Sequence, residues 1–101
     1  MSFLSIEIHP EAIAAARGAR EWYEARSDDA ARAFLAELDL GIESVRTSPE
    51  AYLPYLYGTR CYLLRRFPYL IVYRVTGTTI QVVAVAHGRR RPGYWRARSA
   101  R

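Results

Sequence analysis

Apolar positions change their spacing along this chain, and the changes mark its elements. From Ala31 to Val45 the apolar residues Ala31, Phe34, Leu35, Leu38, Ile42 and Val45 recur at helical spacing, with Arg32, Glu37, Asp39, Glu43 and Arg46 between them. This predicts an amphipathic helix, capped by Ser27 or Asp28 and ended at Ser48-Pro49. An earlier helix starts at His9-Pro10-Glu11, where proline fits the first turn and Glu11 suits the helix dipole. Ile13, Ala16, Ala19 or Arg20, and Trp22 or Tyr23 mark its expected buried side, and Gly18 either weakens it or admits a close neighbour. The short break at Arg26-Ser27-Asp28-Asp29 implies an antiparallel helical hairpin. Before it, Ser2 to Ile8 alternates partly and predicts a short strand.

The last third is organised differently. Tyr69 to Val75 and Thr79 to Ala86 are β-branched, aromatic-rich runs around Thr76-Gly77-Thr78, which predicts a β-hairpin. Both runs are apolar at nearly every position, so both faces of these strands should be covered. Thr59 to Phe67 predicts another strand, after a loop from Glu50 to Gly58. The order β-α-α-β-β-β gives an α+β fold, with the helical hairpin packed on a mainly antiparallel sheet. The length suits a single domain, residues 1–101.

Charge sharpens this picture. From Arg60 onward there are ten arginines and no acid, whereas all ten acids and only five arginines lie in the first fifty residues. Such asymmetry points to an anionic partner, nucleic acid or an acidic protein segment, for the C-terminal half. The chain has no lysine, so a titrating lysine is excluded from any mechanism. The lone cysteine, Cys61, excludes a disulfide framework and reads as a small apolar strand residue. Two distant histidines and one cysteine have no metal-ligand spacing, and no cofactor is expected. No apolar run is long enough for a membrane span, and the N-terminus does not resemble a signal peptide, so a cytoplasmic protein is expected.

Candidate binding residues are Arg65, Arg66, Arg89, Arg90, Arg91, Arg96 and Arg98, through paired N–H donors to phosphate or carboxylate. Adjacent Arg65 and Arg66 should point to opposite faces of their strand. Tyr94 and Trp95 either stack on bases, dock in a partner's pocket, or fold back to close the core's open end. His87, at the end of the last strand, is a general acid or base candidate, though a lone histidine there is more often a hydrogen-bonded structural residue. His9 reads as a helix-start residue.

His9-Pro10-Glu11-Ala12, Trp22-Tyr23-Glu24, Phe34-Leu35, Leu38-Asp39, Gly58-Thr59-Arg60, Arg66-Phe67-Pro68-Tyr69, Val72-Tyr73-Arg74, Val83-Ala84-Val85-Ala86-His87, Arg89-Arg90 and Pro92-Gly93-Tyr94-Trp95 occur in an informative order. With them the chain resembles the RelE/ParE superfamily of toxins from bacterial type II toxin–antitoxin modules, closer to its ParE-like members. The resemblance implies a toxin held by a cognate antitoxin with an acidic amphipathic segment, lying across the helical hairpin and sheet. It implies one of two targets. A binding poison of DNA gyrase needs no catalytic residue. A ribosome-dependent mRNA endonuclease needs a base, an acid and a cation, for which His87, Tyr94 and Arg65 or Arg66 are the candidates. Lysine is frequent in the nuclease members, and its absence here weakens that reading, while the long apolar hairpin and the tail's resemblance to gyrase poisons tilt the expectation to the gyrase poison. A toxin that only binds its antitoxin is the third possibility.

Overall fold

The computed structural model describes residues 4–99. Its elements are β1 (Ser5–Ile8), α1 (Pro10–Glu24), α2 (Asp28–Thr47), β2 (Leu53–Pro54), β3 (Arg60–Leu63), β4 (Tyr69–Thr76) and β5 (Thr79–His87). The β-α-α-β-β-β order stands, with two-residue β2 added inside the expected loop. Ser2 and Phe3, the expected start of β1, lie outside the described residues. Both helix starts are built as the sequence implies. His9 Nδ1 accepts from the Glu11 N–H with Pro10 in the first turn, and Ser27 Oγ accepts from the Ala30 N–H.

The five strands form one sheet in the order β1-β5-β4-β3-β2. β1 runs parallel to β5, and every other pairing is antiparallel. The β4–β5 hairpin closes between Thr76 and Thr79, with Gly77 at φ +61 in the first central position of the turn. The register slips between Val72 and Tyr73, leaving Val83 as the extra residue of a bulge.

The helices cover one sheet face, burying Phe34, Leu38 and Val45 against Ile71, Tyr73, Ile80, Val82 and Val85. Rings of Tyr23, Phe34, Phe67 and Tyr69 stack mostly edge to face at 5.0–5.5 Å and close one end of this core. The Tyr73 hydroxyl donates to the Pro49 carbonyl and fixes the exit from α2. Burial, the leading effect, pushes this phenol up to about 12, so it remains a donor at any working pH.

Two details depart from the expected helix faces. In α1 the buried residues are Ala12 and Ala19, while Ile13 is 40% and Trp22 53% exposed. In α2, Leu35 is 37% exposed, and Gly41 takes a buried place instead. A Cβ on Gly41 would lie 2.8 Å from both Ile71 Cδ1 and Tyr62 Cε1. Gly41→Val is therefore expected to destabilise the fold by about 1–3 kcal/mol through overpacking, read as a lower denaturant midpoint with an unchanged slope. An unchanged midpoint would mean that α2 sits farther from the sheet than described.

The second sheet face is covered by the chain's own tail. Trp95, 1% exposed, packs against Val72, Val83, Ala84 and Ala86, with Tyr55, Leu70 and Tyr94 at its margin. Gly93 at φ +83 turns the tail inward, and its missing Cβ leaves room for Tyr57. Arg98 Nη1 donates to the carbonyl of bulge residue Val83 at 3.1 Å. The expectation that both faces of the hairpin are covered is met, by helices on one side and tail on the other.

Candidate functional site

Three surfaces carry exposed chemistry. The first is an apolar groove of about 240 Å³ along the helical hairpin. Ile13 and Ala16 of α1 face Leu35, Leu38 and Ile42 of α2, with Arg17, Arg20 and Asp39 among the groove's polar residues. Small side chains let α1 settle close to β5, while the larger Ile13 and Leu35 are left at the groove surface. Arg20 also reaches Glu24 at 3.7 Å, an exposed pair of little energetic weight.

The second surface is the β3–β4 loop, where the sequence reading of Arg65 and Arg66 needs correction. β3 ends at Leu63, so these arginines are loop residues and do not alternate across a strand. Glu37 of α2 sets the loop's path. Its Oε1 accepts from the Arg65 and Arg66 backbone N–H groups at 2.8 and 3.1 Å, and its Oε2 accepts from Arg66 Nε at 2.6 Å. Two successive N–H groups and a guanidinium converge on one carboxylate. Desolvation alone would raise the Glu37 pKa, but the Arg66 side chain and the two backbone donors outweigh it and hold the carboxyl below its usual range. Arg65 lines a surface cleft together with Tyr52, Leu53 and Tyr62.

That arrangement has a pH signature. A lowered carboxylate pKa in the folded chain stabilises the fold above the unfolded-state pKa, and this contribution is lost as pH falls through the folded value. Glu37→Gln is expected to cost about 1.5 kcal/mol at neutral pH, the low end for charged hydrogen bonds because Arg66 is largely in water. The difference from the parent should shrink as both are acidified below the carboxylate range. Urea unfolding at neutral and acidic pH checks this, and a gap that stays constant would show that the carboxylate charge is not what holds the loop.

The third surface lies at the far end of the β4–β5 hairpin. His87 pairs in register with Tyr69, and the two rings meet edge-on at 5.0 Å. His87 Nδ1 accepts from the Arg89 N–H at 3.0 Å. Here the structural role expected of a strand-end histidine is seen, while the ring also lines a cleft with Trp22, Tyr23 and Pro68. Burial is the leading cause that raises the Tyr69 pKa, with Tyr23 and Tyr94 adding to it.

The remaining candidates spread outward from this end. Arg89, Arg90 and Arg91 are exposed. The Arg90 and Arg98 guanidinium groups lie 4.1 and 5.3 Å from the Tyr94 ring centre, and that of Arg96 lies 4.5 Å from the Tyr57 ring centre. Trp95 is enclosed beneath them, taking the folded-back alternative for the tail. Among the described residues no hydrogen bond or ion pair is seen joining any two of His87, Tyr94, Arg65 and Arg66 side chains. Other C-terminal arginines serve the fold. Arg60 donates to the Tyr52 carbonyl at 2.7 Å and Arg74 to Gln81 at 2.8 Å. Cys61 is buried in β3, and desolvation pushes its thiol pKa up, away from nucleophilic use. No group of three His, Cys, Asp or Glu among the described residues could hold a metal ion. No described helix is long and apolar enough to cross a membrane.

Comparison with known proteins places this arrangement. The family described as the ParE toxin of type II toxin-antitoxin system, parDE, matches residues 6–92. Among solved structures, the chromosomal ParDE TA system from P. aeruginosa superposes with a TM-score of 0.74 at 20% identity, covering 84% of this chain and 96% of that one. At that identity the likeness supports the fold. No curated protein matches the chain.

Proposed function

The chain belongs to the ParE toxin family of type II toxin–antitoxin systems, and from that premise we propose that it is neutralised by a cognate antitoxin and acts in the cytoplasm by binding and poisoning DNA gyrase. The observation that carries the antitoxin half is the helical groove. An amphipathic acidic segment suits it, because Ile13, Leu35, Leu38 and Ile42 offer apolar contact while Arg17 and Arg20 offer charge. Apolar burial at about 25 cal/mol per Å² supplies most of the affinity, and the arginines speed encounter. The charge asymmetry of the sequence drew attention to the C-terminal half, yet the arginines of this groove come from α1.

The gyrase half is supported by family membership and by a surface suited to binding. A poison of this kind holds its target by contact, so the exposed Arg89, Arg90 and Arg91 beside Tyr94 can act without an assembled acid–base set. The deciding experiment is pulse labelling of DNA and protein synthesis just after the gene is induced without its antitoxin. DNA synthesis should fall first, with damage signalling. An earlier fall in protein synthesis, with cut messages, would instead assign ribosome-dependent mRNA cleavage, with His87, Tyr94, Arg65 and Arg66 as the residues to vary. Continued growth would leave antitoxin binding as the only activity. For the antitoxin, co-purification from the native operon at moderate salt should recover a partner, and recovery of the toxin alone would sink that part of the reading.

A further inference from the structure

We propose that the cleft between the end of α1 and the end of the β4–β5 hairpin binds an unstacked nucleobase of a single-stranded nucleic acid. The cleft measures about 350 Å³ and is walled by Trp22, Tyr23, Tyr69 and His87, with Gly18 opening its side. That volume lies within the roughly 300–1,000 Å³ usual for ligand pockets. Trp22 is more than half exposed, although a ring of that size gains by burial. The Arg26 guanidinium sits 3.4 Å from its ring centre and also donates to the Trp22 carbonyl, so the indole is propped in place. A nucleobase can stack on such a propped ring whatever its sequence.

Polar groups select the same ligand. His87 Nδ1 accepts from the Arg89 N–H, so the neutral imidazole carries its proton on Nε2. That N–H remains available to a base carbonyl or ring nitrogen. Arg26 stands at the Trp22 side, and Arg89 and Arg90 follow His87 after Gly88. None of these three is seen in an ion pair among the described residues, whereas nearby Arg66 is answered by Glu37 and Arg20 by Glu24. Aromatic walls combined with ring-stacked guanidinium groups that have no carboxylate partner among the described residues match a base followed by phosphates. An acidic protein segment without aromatic side chains would satisfy the arginines but leave the ring walls unfilled, and a duplex keeps its bases stacked inside. The proposal stands apart from the choice between gyrase and ribosome.

The test is titration of the full chain with short oligothymidylate and oligouridylate, followed by labelled-oligonucleotide anisotropy and by tryptophan fluorescence. Trp95 is enclosed, so saturable quenching reports Trp22. Trp22→Leu should weaken binding about tenfold, since stacking on one ring carries most of the contact. Gly18→Met is the second variant. Apart from the helix's own backbone and the adjoining residues, nothing lies within 4 Å of a Cβ there, so it should fold, and its side chain should fill the cleft and weaken binding similarly. Binding of both oligonucleotides, or of one, supports the proposal and tells which sugar is accepted. Absence of quenching, equal competition by a duplex, or unchanged affinity in both variants would overturn it. So would quenching by an acidic aromatic peptide at concentrations where neither oligonucleotide acts.

Discussion

Trp95→Ala is expected to remove about 3–5 kcal/mol of stability and to lower the melting temperature by at least about 12 °C in a domain of this size. The indole is the largest fully buried side chain and the centre of the second core. Beneath it are Val72, Val83, Ala84 and Ala86, two of them alanines too small to fill the void it would leave. Around it, the rings of Tyr55 and Tyr57 lie 6.0 Å away and lose their partner together. The bulge at Val83 adds a polar reason for the seat, because its carbonyl takes Arg98 from the same tail. Thermal unfolding followed by near-ultraviolet circular dichroism and by far-ultraviolet signal checks the cost. A loss below about 1 kcal/mol, the scale of surface substitutions, would mean that the tail does not rest on the sheet in solution. Trp95→Phe should be milder, since a smaller ring still fills most of the site.

The seat of Trp95 shows where sequence reading reaches its limit. The hairpin's continuous apolar runs require cover on both faces, and that much is legible. Pro92-Gly93 marks a turn, but which segment supplies the second cover depends on where the chain goes after it and on a bulge in the hairpin that has no local signature. The pairing of β1 with β5 is hidden for the same reason, since it joins residues such as Ile6 and Ile80 across most of the chain. Local signals did better. Ser27, the helical period of α2 and the Gly77 turn rest on nearest neighbours and were readable.

Two misplacements have physical causes of their own. Arg65 and Arg66 look like strand residues because the run from Thr59 is rich in apolar and aromatic side chains. Glu37, which bends the chain there, sits at a polar helix position indistinguishable from a solvated one. Ile13, Leu35 and Trp22 read as core because period alone cannot separate a buried face from one kept for a partner. Their exposure is the feature that the sequence could not supply and that the functional reading now uses. Leu38 and Ile42, on the same helix, pack inward and also line the groove, so core and groove share one apolar stripe.

Ile13→Glu should therefore separate folding from recognition, weakening antitoxin binding about a hundredfold, or about 2.7 kcal/mol, with little change in stability. In the free toxin the new carboxylate would be solvated, because position 13 is 40% exposed. It would also stand one helical turn before Arg17, a spacing that mildly favours the helix. In the complex the same carboxylate would be pressed against an apolar antitoxin surface and close to the antitoxin's own acids. Desolvation and like-charge repulsion would then act only on the bound state. Val75→Glu is the matched control, an exposed apolar residue on β4 outside the groove, and should bind the antitoxin as the parent does. Calorimetric titration of each variant with the purified antitoxin, alongside its thermal unfolding, gives both quantities. If Ile13→Glu binds as tightly as Val75→Glu, the antitoxin lies elsewhere, and the open β1 edge of the sheet becomes the surface to vary.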